Sequence, residues 1–434
     1  MKRIIVSIVV LLVTIMASAQ QNTILSLQQC REMALKYDEQ IKMMDNSQMQ
    51  AEIDKQVAFI NYLPSIDASV MGLYKPGSTE TMGMQMIMHG MYTAGITLQQ
   101  TIYAGGRISA GNDLAEIGRQ VARENVRRTR QEVIAGVDNA YWSLVSVREK
   151  VDMLESYVSY MDALYEQVKV LVEAEMAIGS DLLRIESKKS EVEYNLQKAR
   201  TGVELCNAML CNAIGLGIDD VVEPTDKEVV VYAPKNLDED FSALPEVSLM
   251  NYAVAAKEKQ VKMVRGEYLP SLAGMAMYSK MGNLKMEGST EIDGVSTPFK
   301  QEIKNSGTMF GLVLSIPISG WGEGTRKIKR AKLDVQNAQL EREHNMRLLA
   351  IQTRNAIRNV QNGYLQVQTA EKGVCQNEEN LRIMNQRYEA SMATLTDLLE
   401  AQSQWQQAQS NLIEAKTQYC IYQTEYLKAV GRLE

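Results

Sequence analysis

The most restrictive feature of this 434-residue chain is an internal repeat at a fixed offset. Adding 216 to each of six residue numbers in the first half leads to the same residue type in the second half. The six residues are Asp181, Leu182, Leu183, Leu196, Ala199 and Ala213, and their counterparts are Asp397, Leu398, Leu399, Leu412, Ala415 and Ala429. The segment Tyr62–Ser65 recurs as Tyr268–Ser271 at an offset of 206. The chain is therefore expected to fold as two copies of one structural unit.

The eight Pro residues confine long helices to two blocks, residues 77–223 and 318–434, because Pro interrupts a helix. In both blocks apolar residues recur at alternating steps of three and four, which is the repeat of a coiled-coil seam. The pattern predicts helices at residues 107–174, 181–215, 325–390 and 396–431. The longest would extend over about 100 Å at about 1.5 Å per residue. Such a length suits a duct across a wide aqueous space better than a compact enzyme domain.

Two segments in each copy have the period of two that is typical of strands. They are residues 65–75 and 82–103 in the first copy, and residues 271–281 and 308–318 in the second. Lys75-Pro76-Gly77 is predicted to begin a turn. Even-numbered positions from 92 to 102 are mostly apolar, odd-numbered positions are uncharged and polar, and the apolar parity is the same in the second copy. We therefore expect four strands per chain, with one apolar face.

These elements divide the chain into two repeats and a connecting segment. The first repeat covers residues 20–217 and the second covers residues 246–434, and each contains a helix, a strand pair, a long helix and a further helix. Residues 218–245 connect the repeats and hold three Pro and the apolar run Val229–Tyr232. This run suggests a short extended segment on the outside of the helices.

Residues 1–19 have the three parts of a secretory signal peptide. Lys2-Arg3 provides the charged part, Ile4–Met16 the apolar part and Ala17-Ser18-Ala19 the small residues before cleavage. The mature protein is therefore expected outside the cytoplasm. No later stretch approaches about 18 consecutive apolar residues. If the chain enters a membrane, we expect it to do so as strands of a closed barrel, which pairs every backbone polar group internally.

Composition argues against several other classes of protein. The formal net charge of −7 disfavours a nucleic-acid-binding protein, which would be basic. Two His, five Cys and the absence of a CxxC motif argue against a metal centre built from these residues. No convergent nucleophile or acid–base set can be read from the sequence, so we predict neither an enzyme nor a cofactor.

One Met-rich stretch offers thioether groups, which are soft ligands for Cu(I) or Ag(I). Its candidate ligands are Met82, Met84, Met86, Met88, His89 and Met91. The first four Met share the apolar parity of the strand that follows. Packing against lipid or within a loop is therefore the favoured interpretation, and no metal site is predicted.

The duplicated unit resembles the TolC-like outer-membrane efflux proteins over residues 22–431. The segment Arg387–Ser391, followed by Thr394 and Asp397–Gln402, carries this resemblance most strongly. The resemblance implies a homotrimer in the bacterial outer membrane, docked to a periplasmic membrane-fusion adaptor and an inner-membrane pump. The expected fold is mixed α/β and mainly α, with long antiparallel coiled-coil helices that form a periplasmic tunnel joined to a β-barrel shared between protomers. A barrel shared between chains also follows from the strand count. Each chain has four predicted strands, and about eight is the smallest number known to close a membrane barrel.

The predicted function is an outer-membrane exit duct of a tripartite efflux or type I secretion system. It would passively conduct small molecules or polypeptides from the pump to the exterior. The alternative is a periplasmic or secreted coiled-coil scaffold without channel activity. That alternative explains the helical seams but leaves the duplicated strand pairs unexplained.

The candidate site residues lie around the two turns between the long helices and the helices that follow them. The resemblance places acidic residues at a narrow periplasmic mouth, so Asp397 and Glu400 are predicted to form an entrance ring. The alternative role for these acids is to stabilise the helix N-terminus. Asp181 and Tyr388 flank the two turns and are predicted to form a contact that holds the mouth closed. The predicted adaptor-docking residues are Ile178, Gly179, Ser180, Ala393, Thr394 and Leu395.

Overall fold

The computed structural model describes residues 23–81, 84–292, 295–318 and 320–433. The predicted signal peptide, residues 1–19, lies outside the described residues. The elements up to the end of the second long helix are β1 (Thr23–Leu25), α1 (Leu27–Tyr37), α2 (Glu39–Ile60), β2 (Ser65–Thr81), β3 (Met84–Ala104), α3 (Arg107–Glu173) and α4 (Gly179–Ile214). The remaining elements are β4 (Val222–Pro224), α5 (Pro245–Gly266), β5 (Ser271–Ile292), β6 (Val295–Ser315), α6 (Glu323–Glu389) and α7 (Leu395–Ala429).

The helices begin and end close to the predicted positions. Helices α3 and α6 have 67 residues each and end at Glu173 and Glu389, one residue before the predicted ends at 174 and 390. The fold is mixed α/β and mainly helical. No helix in the described part of the chain is both long enough and apolar enough to cross a membrane.

The predicted turn at Lys75-Pro76-Gly77 is wrong, because β2 continues through it to Thr81. The register between β2 and β3 shifts between Leu73 and Ser78, so the three residues form a bulge within the strand. Gly77 adopts the left-handed φ of 83° that such an irregularity favours. Pro is tolerated here because it lies within the bulge, where residues 75–77 have no register partner in β3, so the missing N–H breaks no ladder bond with that strand.

The predicted bounds of the second strand pair are also wrong. Strand β5 extends to Ile292 rather than 281, and β6 runs from Val295 to Ser315 rather than from 308 to 318. The extra residues include charged ones such as Lys285 and Lys300. The apolar residues of the added part of β6, Phe299 and Ile303, are odd-numbered, whereas those of residues 310–318 are even-numbered, because the register of the pair shifts between Met281 and Leu284. The backbones of β5 and β6 still pair along these added residues. Opposite charges also face one another across the hairpin: Glu287 and Lys300 are register partners and form an ion pair.

The four long strands form one antiparallel sheet in the order β2-β3-β5-β6. Its register pairs Ile66 with Leu98, Leu98 with Ala276, and Ala276 with Phe310, so even-numbered residues share one face. The neighbouring row, Asp67, Thr97, Met277 and Met309, lies on the opposite face. The predicted apolar face is thus confirmed. Phe310 is 79% exposed in the single chain.

The described chain divides into two compact units. One comprises residues 23–46, 124–249 and 344–433, and the other comprises residues 47–123 and 250–343, which include the sheet. The first unit contains three apolar clusters. They centre on Tyr141 and Leu210, on Met161 and Ile185, and on Tyr419.

The strand in the connecting segment lies at Val222–Pro224, before the predicted extended run Val229–Tyr232. Strand β4 pairs in parallel with β1, whereas Val229–Tyr232 is in no regular strand. Val229 is buried in the first cluster, and the carbonyl of Tyr232 accepts a hydrogen bond of 2.7 Å from the Tyr419 hydroxyl. Val229 and Val231 therefore pack against an apolar cluster of the helices, whereas the side chains of Val230 and Tyr232 are exposed.

Candidate functional site

Two short turns carry most of the predicted site residues. The first tip turn is residues 174–178, between α3 and α4, and the second tip turn is residues 390–394, between α6 and α7. Glu175 and Ser391 lie at equivalent places in them and adopt left-handed φ values of 57° and 59°. In both turns the following backbone N–H donates to a carbonyl five residues earlier, from Met176 to Leu171 at 2.8 Å and from Met392 to Arg387 at 2.7 Å. Both long helices therefore end in the same left-handed cap.

The second tip turn is locked by a capping box at the start of α7. The Asp397 N–H donates to the Thr394 hydroxyl oxygen (3.2 Å), and the Thr394 N–H donates to the Asp397 carboxylate (3.0 Å). The Thr394 hydroxyl also donates to that carboxylate (2.7 Å). These bonds from Thr394 hold the pKa of Asp397 below its usual range. The helix-capping role that was the alternative for Asp397 is thus present in the structure.

Glu400 lies outside this cap. Its carboxylate is exposed and accepts a hydrogen bond of 3.3 Å from the Gln404 amide, one turn further along α7. Asp397 is exposed as well. Both acids are therefore accessible to solvent in the single chain, and the entrance ring stays a prediction.

The first tip turn is built differently. Ile178 precedes α4 without a side-chain cap, and Asp181 in the first turn of the helix lies 3.8 Å from the Arg184 guanidinium. Arg184 also donates a hydrogen bond of 2.7 Å to the Thr396 hydroxyl, which ties the two hairpins together at the tip. Sequence reasoning missed this bond. The available signal was that Arg184 stands at the position equivalent to Glu400, so the two copies differ in charge there.

The predicted contact between Asp181 and Tyr388 takes a weaker form within one chain. Tyr388 is partly buried against the second apolar cluster. Burial raises the pKa of its hydroxyl, and the negative charge of Asp181 adds to this. No hydrogen bond joins the two side chains within the residues that the structure describes. A contact between neighbouring hairpins stays a prediction.

The structure revises the set of predicted docking residues. Ile178 is 66% exposed, and Gly179 and Ser180 are exposed beside it, whereas Leu395 is only 4% exposed and packs into the second apolar cluster. Leu395 is therefore unavailable for a docking contact. Sequence reasoning missed two exposed apolar side chains in the turns, Met176 and Met392, which are 77% and 74% exposed.

The Met-rich stretch falls largely within strand β3, which begins at Met84, while Met82 lies outside the described residues. The register pairs Met86 with Met286 of β5. Within the described ranges, no group of three or more His, Cys, Asp or Glu residues is arranged to hold a metal ion.

Comparison with known proteins gives one consistent result. A family model described as outer membrane efflux protein matches residues 31–203 and 244–432. The outer membrane efflux protein BepC of Brucella suis is 23% identical over 355 residues, which cover 79% of this chain and 72% of that protein. The Campylobacter jejuni CmeC outer membrane channel superposes with a TM-score of 0.75 at 19% identity, covering 96% of this chain and 91% of that one. The Vibrio cholerae outer membrane protein VceC gives a TM-score of 0.77 at 15% identity, covering 93% and 96%.

Fold and family model together define an outer-membrane channel protein. The chain belongs to the outer membrane efflux protein family. It is an outer-membrane protein that serves as an exit duct for efflux, which favours the duct over the coiled-coil scaffold.

Proposed function

We propose that the chain acts as a homotrimer that forms the passive outer-membrane duct of a tripartite efflux or type I secretion system. The observation that carries this proposal is the four-stranded sheet, with its single apolar face and with β2 and β6 at its two edges. Edge N–H and C=O groups need partners wherever water is absent. Four strands are too few to close a barrel, since about eight is the smallest number known. Several copies of the chain therefore have to share one barrel.

Three copies, the number that the family resemblance implies, would supply twelve strands. In that arrangement β6 of one copy pairs with β2 of the next, which satisfies both edges. The face that carries Ile66, Leu98 and Phe310 would then contact lipid. The opposite face, with Thr97 and Asp67, would line the duct.

The two tip turns are the proposed docking surface for a periplasmic adaptor, which would connect the duct to an inner-membrane pump. The exposed side chains of Ile178, Met176 and Met392 give this surface an apolar character. Gly179 adds a position where any side chain would project into a partner, since a Cβ there would meet no atom of this chain within 4 Å. Gly179→Trp should therefore reduce export while the protein still reaches the outer membrane. Unimpaired export by that variant would argue against docking at the tip.

Asp397 and Glu400 are the proposed entrance ring. In a trimer they would bring together six carboxylates. Crowded like charges raise the pKa of some members and attract cations. The capping bonds from Thr394 do not prevent this role, because both carboxylates are exposed to solvent.

Electrical recording on the purified protein tests the duct. Protein extracted from outer membranes with detergent is added to a planar lipid bilayer under an applied voltage. The proposal predicts discrete conductance steps, with none from a mock preparation of cells that lack the gene. A scaffold would give no steps and would remain in the soluble fraction.

A further inference from the structure

Methionine interrupts the polar face of the four-stranded sheet. Met277 of β5 directly opposes Met309 of β6, and both share this face with Thr97. Met275 lies two residues before Met277 on the same face and opposes Gly311. Three thioether side chains therefore occupy adjacent positions on two paired strands.

The glycine allows these side chains to converge. A Cβ on Gly311 would stand 3.3 Å from Met275 Cγ and 3.8 Å from Met275 Sδ. Met275 therefore leans across the space that a side chain at position 311 would fill. Met309 lies two residues before Gly311 on the same face, and directly opposed residues such as Met277 and Met309 have Cβ atoms only about 4.5 to 5.5 Å apart. All three flexible side chains can thus reach a common point above the β5–β6 pair.

The surroundings of the three methionines are mixed. Ser279 and Thr97 lie on the same face, and so do the apolar residues Met281 and Val313.

We propose that Met275, Met277 and Met309 form a three-coordinate thioether site for a soft monovalent metal ion, Cu(I) or Ag(I). Thioethers select such ions over Mg²⁺, Ca²⁺ or Zn²⁺. A thioether carries no proton to displace, so binding is independent of pH, in contrast to a site made of His or Cys. The site lies within the sheet of a single chain, so it goes beyond the proposed duct function and does not depend on it.

The test is a titration of the full-length protein in detergent with Ag(I), as the nitrate in chloride-free buffer. Accessible thiols are first blocked with N-ethylmaleimide, because thiolates bind Ag(I) and Cys375 is exposed. Bound silver is measured by mass spectrometry after desalting. The triple variant Met275→Leu, Met277→Leu, Met309→Leu should bind about one Ag(I) fewer per chain than the wild type. The difference should be the same at about pH 6 and pH 8, where imidazole titrates.

A matched control removes the same number of thioethers elsewhere. Met43, Met49 and Met392 are exposed methionines of helices or turns, and their triple Leu variant should bind as much silver as the wild type. Equal binding by the wild type and the sheet variant would overturn the proposal. If the sheet variant does not fold, ¹³C-methyl methionine spectra of the wild type decide the question. Ag(I) should shift the resonances of Met275, Met277 and Met309, and unmoved resonances would refute the site.

Discussion

The guanidinium of Arg31 and the carboxylate of Asp138 form a two-bond ion pair that joins α1 to α3. Arg31 Nε lies 2.7 Å from Asp138 Oδ1, and Nη2 lies 2.6 Å from Oδ2. Asp138 is fully buried, and its Oδ2 also accepts a 2.6 Å hydrogen bond from the Thr424 hydroxyl of α7. The bonds to Asp138 raise the pKa of Arg31. One carboxylate thus connects three helices.

Removing Arg31 should destabilise the protein strongly, because the buried carboxylate of Asp138 then loses its counter-charge. Arg31→Met is expected to lower the free energy of unfolding by about 3 to 5 kcal/mol. Denaturant titration of the detergent-solubilised protein measures this. The matched control is Arg354→Met, which breaks an exposed pair with Glu239 at 3.2 Å and should change the midpoint little. Similar midpoints for both variants would contradict the role assigned to the buried pair.

The left-handed cap of α6 predicts a stabilising substitution. Ser391 has a φ of 59°, a conformation that costs a residue with a side chain about 1 kcal/mol and glycine almost nothing. Ser391→Gly should therefore raise the unfolding midpoint. Ser410→Gly, in the middle of α7, should lower it, since glycine weakens a helix interior. If both variants shift the midpoint in the same direction, the left-handed cap is not the cause.

The register of the sheet predicts opposite outcomes for two adjacent residues. Leu98→Lys places a charge on the apolar face and should impair trimer assembly, at a cost of about 2 to 4 kcal/mol per chain near the bilayer midplane. Thr97→Lys places the same charge on the polar face and should mainly change conductance. The yield of folded trimer on a semi-native gel distinguishes them. Equal loss in both variants would show that the face assignment is wrong.

Periodic patterns in the sequence predicted the helices and the apolar face, because each pattern reflects burial along one element. They did not predict the outer halves of β5 and β6, because the register shift near Met281 moves the apolar residues of β6 from even-numbered to odd-numbered positions, such as Phe299 and Ile303. The left-handed φ of Glu175 carries no local signal, since the residue type does not favour it. The pairing of Arg31 with Asp138 and of Arg184 with Thr396 depends on how the helices pack. The capping box of Thr394 and Asp397 does not depend on helix packing. Its two residues are only three apart in the sequence, so the pattern is local.

The entrance ring predicts a block of conductance by polyvalent cations added from the periplasmic side. The double variant Asp397→Asn, Glu400→Gln should relieve that block, because it removes all six carboxylates of the trimer. The double variant Glu378→Gln, Glu379→Gln, on the exposed surface of α6, serves as the control and should remain blocked. An unchanged block in the entrance variant would leave Asp397 with helix capping alone.

The capping role of Asp397 also has a pH signature. Its pKa is lowered in the folded chain by the bonds from Thr394, so its stabilising contribution is present above the unfolded pKa of about 3.8 and is lost as the pH falls through the lowered folded value. Acid unfolding curves of the wild type should show this loss below about pH 4. Asp397→Asn should be less stable at neutral pH and should lack that part of the acid dependence.

The mass of the particle extracted from the outer membrane shows how many chains share one barrel. Light scattering with correction for bound detergent gives the number of chains in each particle. We expect three chains, because the two edges of each sheet need partners and one chain has too few strands to close a barrel. A stable folded monomer in detergent, or a protein that remains in the soluble fraction of the cell, would contradict this expectation.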